Sequence, residues 1–158
     1  MKPALFASAA ILSLALAART TMAEPVPTGG LTVDEVAAWL QNAGYAAKIE
    51  TEKSGRKTIA SSAEGIDFHI SMYDCHDGPR CASLEFFVGF NTNGAFNATQ
   101  MNQWNADNRW VRAYVDKTND PWLEMDVDLS PGGTYENLTD EFGIWRSELP
   151  DFKKFIHW

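Results

Sequence analysis

The sequence predicts an α+β fold, in which a twisted antiparallel sheet of about six strands carries helices on one face. Several segments alternate apolar and polar residues, as strands with one buried face do. The C-terminal segment instead repeats apolar residues every three or four positions, which is the pattern of an amphipathic helix. We expect the element order α-β-β-β-β-α-β-β-α, with one domain over residues 31–158.

The first half of the domain begins with a helix and a hairpin. Residues 32–35 read Thr-Val-Asp-Glu, a capping box that predicts a helix start, and Gly44 is a suitable helix end. Residues 45–52 and 57–61 then alternate around a Ser-Gly turn, which indicates two short strands.

The next two strands, over residues 66–73 and 83–90, contain a testable register. If Cys75 lies opposite Cys81, apolar residues pair with apolar residues along one face, for example Ile70 with Phe86. A slip of one residue would place apolar side chains opposite polar ones. This register, together with the export signal described below, predicts a disulfide between Cys75 and Cys81.

A metal site built from Cys75, His76, Asp77 and Cys81 is the alternative for the same hairpin. Structural zinc sites use a second ligand pair elsewhere in the chain, and the sequence offers none. The sequence also lacks a phosphate-binding glycine loop and a dinucleotide fingerprint. We therefore expect no metal and no cofactor.

The second half supplies a short helix, a hairpin and a long helix. We expect the short helix over residues 98–106 and the strands over 110–116 and 122–129. The long helix should be bent or interrupted at Pro150. Its apolar stripe consists of Leu138, Phe142, Trp145, Leu149, Phe152 and Ile156.

The N-terminus predicts export. A Lys precedes an uncharged apolar run over residues 4–18, and Thr21 and Ala23 fit the small positions of a signal peptidase site. The run is shorter than the ~20 residues that span a bilayer. We expect a signal peptide over residues 1–23, a flexible leader over 24–30, no permanent membrane anchor, and a periplasmic or secreted protein.

The charge of the chain limits its partners. Without Lys2 and Arg19, the 13 Lys and Arg residues fall to 11 against 21 Asp and Glu residues, a net charge of −10. Such a chain is repelled by nucleic acid and by anionic membrane surfaces. We expect no nucleic-acid partner.

Catalytic motifs are weak. Glu124, Asp126 and Asp128 share one side of a strand, so a hydrolase that uses carboxylates of the Trp122–Leu129 strand is the enzymatic alternative. Alternating acids are more typical of the solvated face of a strand, and we expect Arg112 to form a cross-strand ion pair with Glu124 or Asp126. The sequence has no Gly-x-Ser-x-Gly elbow.

One stretch carries a family resemblance. Residues 101–129, MNQWNADNRWVRAYVDKTNDPWLEMDVDL, resemble the signature of the YbjN domain, most specifically at Trp104-Asn105, Arg109-Trp110 and Arg112-Ala113-Tyr114. The strand around Cys81–Phe90 and the terminal helix around Trp145 are similar as well. The resemblance implies a fold like that of type III secretion chaperones and a role in sensory transduction or protein binding. It implies no catalytic residues.

The alternation also predicts where a partner binds. The apolar stripes of the helices are sufficient to cover one side of the sheet, so the other side should expose aromatic residues beside charge, a composition typical of protein-binding hot spots. The expected face consists of Trp110, Arg112, Tyr114, Trp122, Tyr73 and Phe87. The alternatives are that the C-terminal segment covers this face, through Phe155 or Trp158, or that a homodimer forms on it.

These observations favour an exported, non-enzymatic binding or regulatory module of the YbjN type whose protein partner the sequence does not identify.

Overall fold

The computed structural model describes residues 23–76 and 78–158. Met1–Met22 of the predicted signal peptide and Asp77 of the alternative metal site lie outside this range. The element order matches the prediction. The elements are α1 (Val33–Asn42), β1 (Lys48–Thr51), β2 (Lys57–Ala63), β3 (Ile66–Tyr73), β4 (Ser83–Gly89), α2 (Ala98–Asp107), β5 (Arg112–Val115), β6 (Pro121–Asp128) and α3 (Tyr135–Phe155).

The six strands form one open sheet in the order β1-β2-β3-β4-β6-β5, and all neighbours are antiparallel. The chain therefore enters the last hairpin at the sheet edge, through β5, and returns through β6 beside β4. This pairing brings together the polar sides of β4 and β6, two strands that are far apart in sequence. None of the helices described is both long and apolar enough to cross a membrane.

The cysteine hairpin has the predicted register. Ile70 lies opposite Phe86 and Met72 lies opposite Leu84, and the sulfur atoms of Cys75 and Cys81 are bonded to each other. Because the two cysteines are only 6 residues apart, the closed loop is short and the chain-entropy model gives the bridge roughly 2 kcal/mol of stabilisation. Both sulfurs are thus engaged in the bond and do not serve as metal ligands.

The core lies between α3 and the inner face of the sheet. Trp145 is fully buried and stacks on Phe86 with ring centroids 5.8 Å apart, and Phe142 stacks on the same ring at 5.7 Å. Phe68 of β3 contacts both α3 rings. Each such aromatic pair contributes about 0.5–1.5 kcal/mol beyond area burial, so this cluster anchors α3 across the centre of the sheet.

The long helix corrects one expectation, because α3 is not interrupted at Pro150 but continues through it to Phe155. Proline removes the hydrogen bond to the carbonyl four residues earlier. Pro150 is exposed, so water can satisfy that carbonyl, while Leu149 and Phe152 on the buried side hold the helix to the core.

The C-terminal segment lies on the helix side of the sheet. Trp158 contacts the buried ring of Phe90, and Phe155 packs on Trp104 of α2. Neither residue covers the opposite side of the sheet. The alternative in which this segment folds over the outer face is therefore not what the structure shows.

Residues 24–30, where the sequence predicts only a flexible leader, form specific contacts with the start of α3. The backbone N–H of Val26 donates to the carbonyl of Gly133, and that of Tyr135 donates to the carbonyl of Glu24. Gly30 is required where the chain passes the disulfide hairpin, because a Cβ there would lie 1.8 Å from the carbonyl oxygen of Cys81. The flexibility of the leader stays a prediction.

Glu24 forms a further contact with the start of α3, and signal cleavage after Ala23 would add a positive charge to it. The backbone nitrogen of Glu24 donates to Oε1 of Glu136 over 3.0 Å, and this bond is the main reason why the pKa of Glu136 lies below its ordinary value. In a chain that begins at Glu24, this nitrogen is an ammonium group. It would form an ion pair with Glu136 in the first turn of α3.

We therefore predict that a chain beginning at Glu24 melts at a higher temperature than one that retains Met22-Ala23. Glu136→Gln should abolish most of this difference, because it removes the carboxylate that receives the ammonium charge. Thermal melts of the four proteins at pH 6 and low salt provide the measurement. An equal difference with and without Glu136→Gln would contradict the ion pair.

Candidate functional site

The outer face of the sheet, opposite the helices, carries a row of stacked rings that we call the aromatic ladder. It consists of Tyr114 on β5, Trp122 on β6, Phe87 on β4 and His69 on β3. The ring centroids of consecutive members are 6.4, 6.2 and 5.5 Å apart, and all three pairs are stacked. The ladder therefore crosses four strands, from the edge strand β5 over β6 and β4 to β3.

The centre of the ladder depends on a glycine. Gly89 lies opposite Trp122 in the register, and a Cβ at Gly89 would lie 2.6 Å from the indole ring. The ring can thus lie flat on the β4 backbone only because Gly89 has no side chain. Its Nε1–H donates to Oδ2 of Asp116 over 3.3 Å, which fixes the ring plane from the β5–β6 turn.

One end of the ladder is held by a charged cluster. Arg112 lies opposite Glu124 and forms a salt bridge with it, so the expected cross-strand ion pair is confirmed. The hydroxyl of Tyr114 donates to the other oxygen of Glu124 over 2.6 Å. Burial, and then this hydrogen bond to Glu124, raise the pKa of Tyr114. Glu124 is buried, and both of its oxygens are engaged.

Glu85 is the perturbed member of this cluster. It lies opposite Asp126 and diagonal to Glu124. Burial, followed by the negative charges of Glu124 and Asp126, raises the pKa of Glu85 to about 7, and Arg112 at 3.9 Å offsets only part of this effect. At neutral pH this carboxyl group is therefore partly protonated.

The six residues of the predicted binding face do not all lie together. Arg112, Tyr114, Trp122 and Phe87 form the ladder and its charged end, as described above. Trp110 lies just before β5 with 47% of its surface exposed, and the guanidinium of Arg109 lies 4.2 Å from the centre of its ring. Tyr73 is exposed at the end of β3, beyond Ser71, and takes no part in the ladder.

Over three of the four ladder rings lies an open groove of about 630 Å³, which we call the acidic groove. Its floor contains Phe87, Trp122 and His69, and no Lys or Arg is among its lining residues, all of which belong to the described part of the chain. Four of its five carboxylates lie towards the two ends, Glu50 and Glu52 at the β1 end and Asp116 and Asp120 at the β5–β6 turn. The fifth, Asp67, lies between them on β3.

The carboxylates proposed for a hydrolase are distributed differently. Glu124 and Asp126 belong to the charged cluster and do not line the acidic groove, and Asp128 lies at the end of β6 opposite Ser83. A hydrolase of this kind needs an acid and a base that flank a bound substrate. Here one of the three carboxylates, that of Glu124, is already bound by Arg112 and Tyr114.

A family described as YbjN, putative bacterial sensory transduction regulator, matches residues 32–158. The chain belongs to the YbjN family. No curated protein shows significant sequence similarity to the chain.

Within this YbjN domain, the Trp104-Asn105 pair has a structural explanation. The side chain of Asn105 receives the N–H of Ala113 at 2.8 Å and donates to its carbonyl at 2.9 Å. These two bonds occupy the outer edge of β5 as a neighbouring strand would. Trp104 packs on Phe152 of α3. The pair therefore anchors α2 against both the sheet edge and the core.

Several residues of the YbjN outer face were not predicted from the sequence. Glu85 becomes unusual only because β6 pairs with β4, which no local pattern specifies. The acidic residues of the groove come from β1, the β1–β2 turn, β3 and the β5–β6 turn, which are separated in sequence. Gly89 offered one usable signal, because a glycine inside an alternating strand often marks a close approach.

The charged cluster of this YbjN protein predicts a specific pH dependence. The pKa of Glu85 is raised from 4.5 to about 7 on folding. The folded state therefore binds more protons between these two values, and this carboxyl opposes folding increasingly as the pH rises through 7. Glu85→Gln should raise the melting temperature at pH 8 and have little effect at pH 5.

Asp140→Asn, an exposed change on α3, is the control for this experiment and should show no such difference between the two pH values. If Glu85→Gln changes the melting temperature equally at pH 5 and pH 8, the pKa of Glu85 is not raised.

Proposed function

We propose that this protein is an exported, non-enzymatic binding or regulatory module that binds a protein partner on the outer face of its sheet. The observation that carries this proposal is the aromatic ladder. It lies on the face that the described helices and the C-terminal segment do not cover. Tyr114 on this face exposes 37% of its surface, and Trp110, just before β5, exposes 47%.

The composition of this face supports protein binding. Rigid aromatic rings beside an arginine are enriched at interface hot spots, because they bury much area at little cost in conformational entropy. Arg112 is well exposed, with 61% of its side chain accessible. Its guanidinium is oriented by Glu124, so a partner would meet a preformed donor.

Export is supported by two independent features. The N-terminal sequence has the form of a cleavable signal, and the Cys75–Cys81 disulfide is of a kind that persists in oxidising compartments. Both features support a periplasmic or secreted location. The family description as a sensory transduction regulator supports a regulatory role.

The hydrolase alternative has one observation in its favour, namely the raised pKa of Glu85 beside Glu124 and Asp126. Perturbed carboxyls occur at catalytic sites, but they also occur in structural ion-pair networks. The engagement of both Glu124 oxygens and the position of the cluster outside the groove favour the structural reading.

Site-specific photo-crosslinking tests the binding face. A benzoylphenylalanine introduced at Trp110, in the cells that export the protein, should cross-link a discrete protein. Trp122→Ser in the same background should abolish that product, because it removes the middle of the ladder. Trp158→Ser provides the control, since Trp158 is an exposed tryptophan on the helix side.

Thermal melts must show that both variants remain folded. A discrete adduct that survives Trp122→Ser but disappears with Trp158→Ser would place the binding surface on the helix side and contradict the proposal. An adduct with twice the mass of the chain would identify a homodimer as the occupant of the face instead.

A further inference from the structure

We propose that the acidic groove binds an extended, basic peptide segment of the partner, with cationic side chains towards its two ends and an apolar or aromatic residue between them. This inference rests on the proposed function, and it specifies the chemistry of the ligand. Three features of the groove carry it: its length, the distribution of its charges and the nature of its floor.

The length of the groove fits an extended chain. Its lining runs from Glu50 on β1 to Trp122 on β6, which is four strand spacings in the observed sheet order. At about 4.8 Å per spacing, the floor is roughly 19 Å across, and an extended peptide covers this distance with about six residues at 3.3 Å each. A single small cation would contact only one end.

The charges are arranged in two groups. At the β1 end, Oε2 of Glu50 lies 3.9 Å from Nε2 of His69, and Glu52 follows β1 directly. Asp67 lies between the two groups, on β3. At the other end, Asp116 accepts hydrogen bonds within the β5–β6 turn, and Asp120 accepts them mainly from Thr92 and Gly94 in the loop after β4. The pKa of Asp116 is lowered mainly by Thr118, and the pKa of Asp120 mainly by the backbone N–H of Thr92.

Two cations pair with carboxylates that line the groove. Lys48 binds Glu50 over 2.8 Å, and Arg56 binds Glu52 over 2.9 Å. Both pairs are exposed, and exposed pairs contribute little to stability, so an incoming cation can exchange with them at small cost. The groove therefore retains an excess of negative charge that a basic segment complements.

The floor between the two charged ends is aromatic. Phe87 and Trp122 stack parallel to each other, with Trp122 lying on the bare backbone at Gly89. Flat rings attract guanidinium groups through cation–π interactions and pack against apolar side chains. An arginine-containing segment can use both the floor and the carboxylates, whereas an acidic segment would be repelled from both ends.

The test uses a labelled heptapeptide with arginine at both ends and phenylalanine in the middle, acetyl-RSGFGSR-amide. Binding to the mature protein is measured by fluorescence anisotropy at 50 mM salt. We expect saturable binding that weakens at least tenfold at 300 mM salt, because the contacts are solvent-exposed charge pairs. The same peptide with glutamate in place of arginine should not bind.

Matched charge variants locate the site. Glu50→Gln combined with Asp67→Asn removes two carboxylates from the groove and should weaken binding at least tenfold. Asp140→Asn combined with Glu141→Gln removes the same charge from α3 and should change the affinity less than twofold. Equal weakening in both variants would show only non-specific attraction to an acidic protein and would overturn the inference.

Two further ligands separate the alternatives. Spermidine that binds as tightly as the peptide would identify a small-cation site, and maltohexaose that binds more tightly would identify a carbohydrate site; either result overturns the inference. If the arginine peptide fails to bind while the Trp122-dependent cross-link at Trp110 persists, the basic-peptide inference is wrong and the proposed function stands. If both fail, the proposed function fails as well.

Discussion

The packing of Phe142 and Trp145 against Phe86 is the interaction on which the rest of the structure depends. It fixes α3 across the middle of the sheet and buries the apolar sides of β3 and β4. Because a strand alternates its side chains, burying these residues commits their neighbours to the opposite face. The aromatic ladder and the charged cluster are exposed as a consequence of where α3 sits.

The outer face is ordered by its own contacts rather than by a covering layer. Trp122 is held by Gly89 beneath it and by Asp116 at its nitrogen, and Tyr114 is held by Glu124. The edge of β5 beside the ladder is occupied by Asn105. These side chains are thus positioned before any partner arrives, which lowers the entropic cost of binding.

The sequence predicted those parts of the fold that depend on local pattern. The register of β3 and β4 followed from the cysteine positions and from alternation, and the stripe of α3 followed from its spacing. The sequence did not predict that β6 inserts between β4 and β5, since that depends on long-range pairing. The neighbours of Glu85 and the shape of the acidic groove depend on that insertion and could not be derived.

At Pro150, by contrast, the local sequence pattern led to a wrong expectation. Its local preference favours a break, but the burial of Leu149 and Phe152 on either side outweighs the loss of one hydrogen bond. Tertiary packing decides such cases, and a single sequence read without its partners in space does not show how strong that packing is.

The central claim is that the aromatic side of the sheet is open in the isolated protein. Hydroxyl-radical footprinting, read out by mass spectrometry, measures it most directly, because oxidation of each tryptophan follows its solvent exposure. The account predicts rapid oxidation of Trp110, intermediate oxidation of Trp122, and protection of Trp104 and Trp145. Protection of Trp110 and Trp122 at the level of Trp145 in the monomeric protein would contradict it.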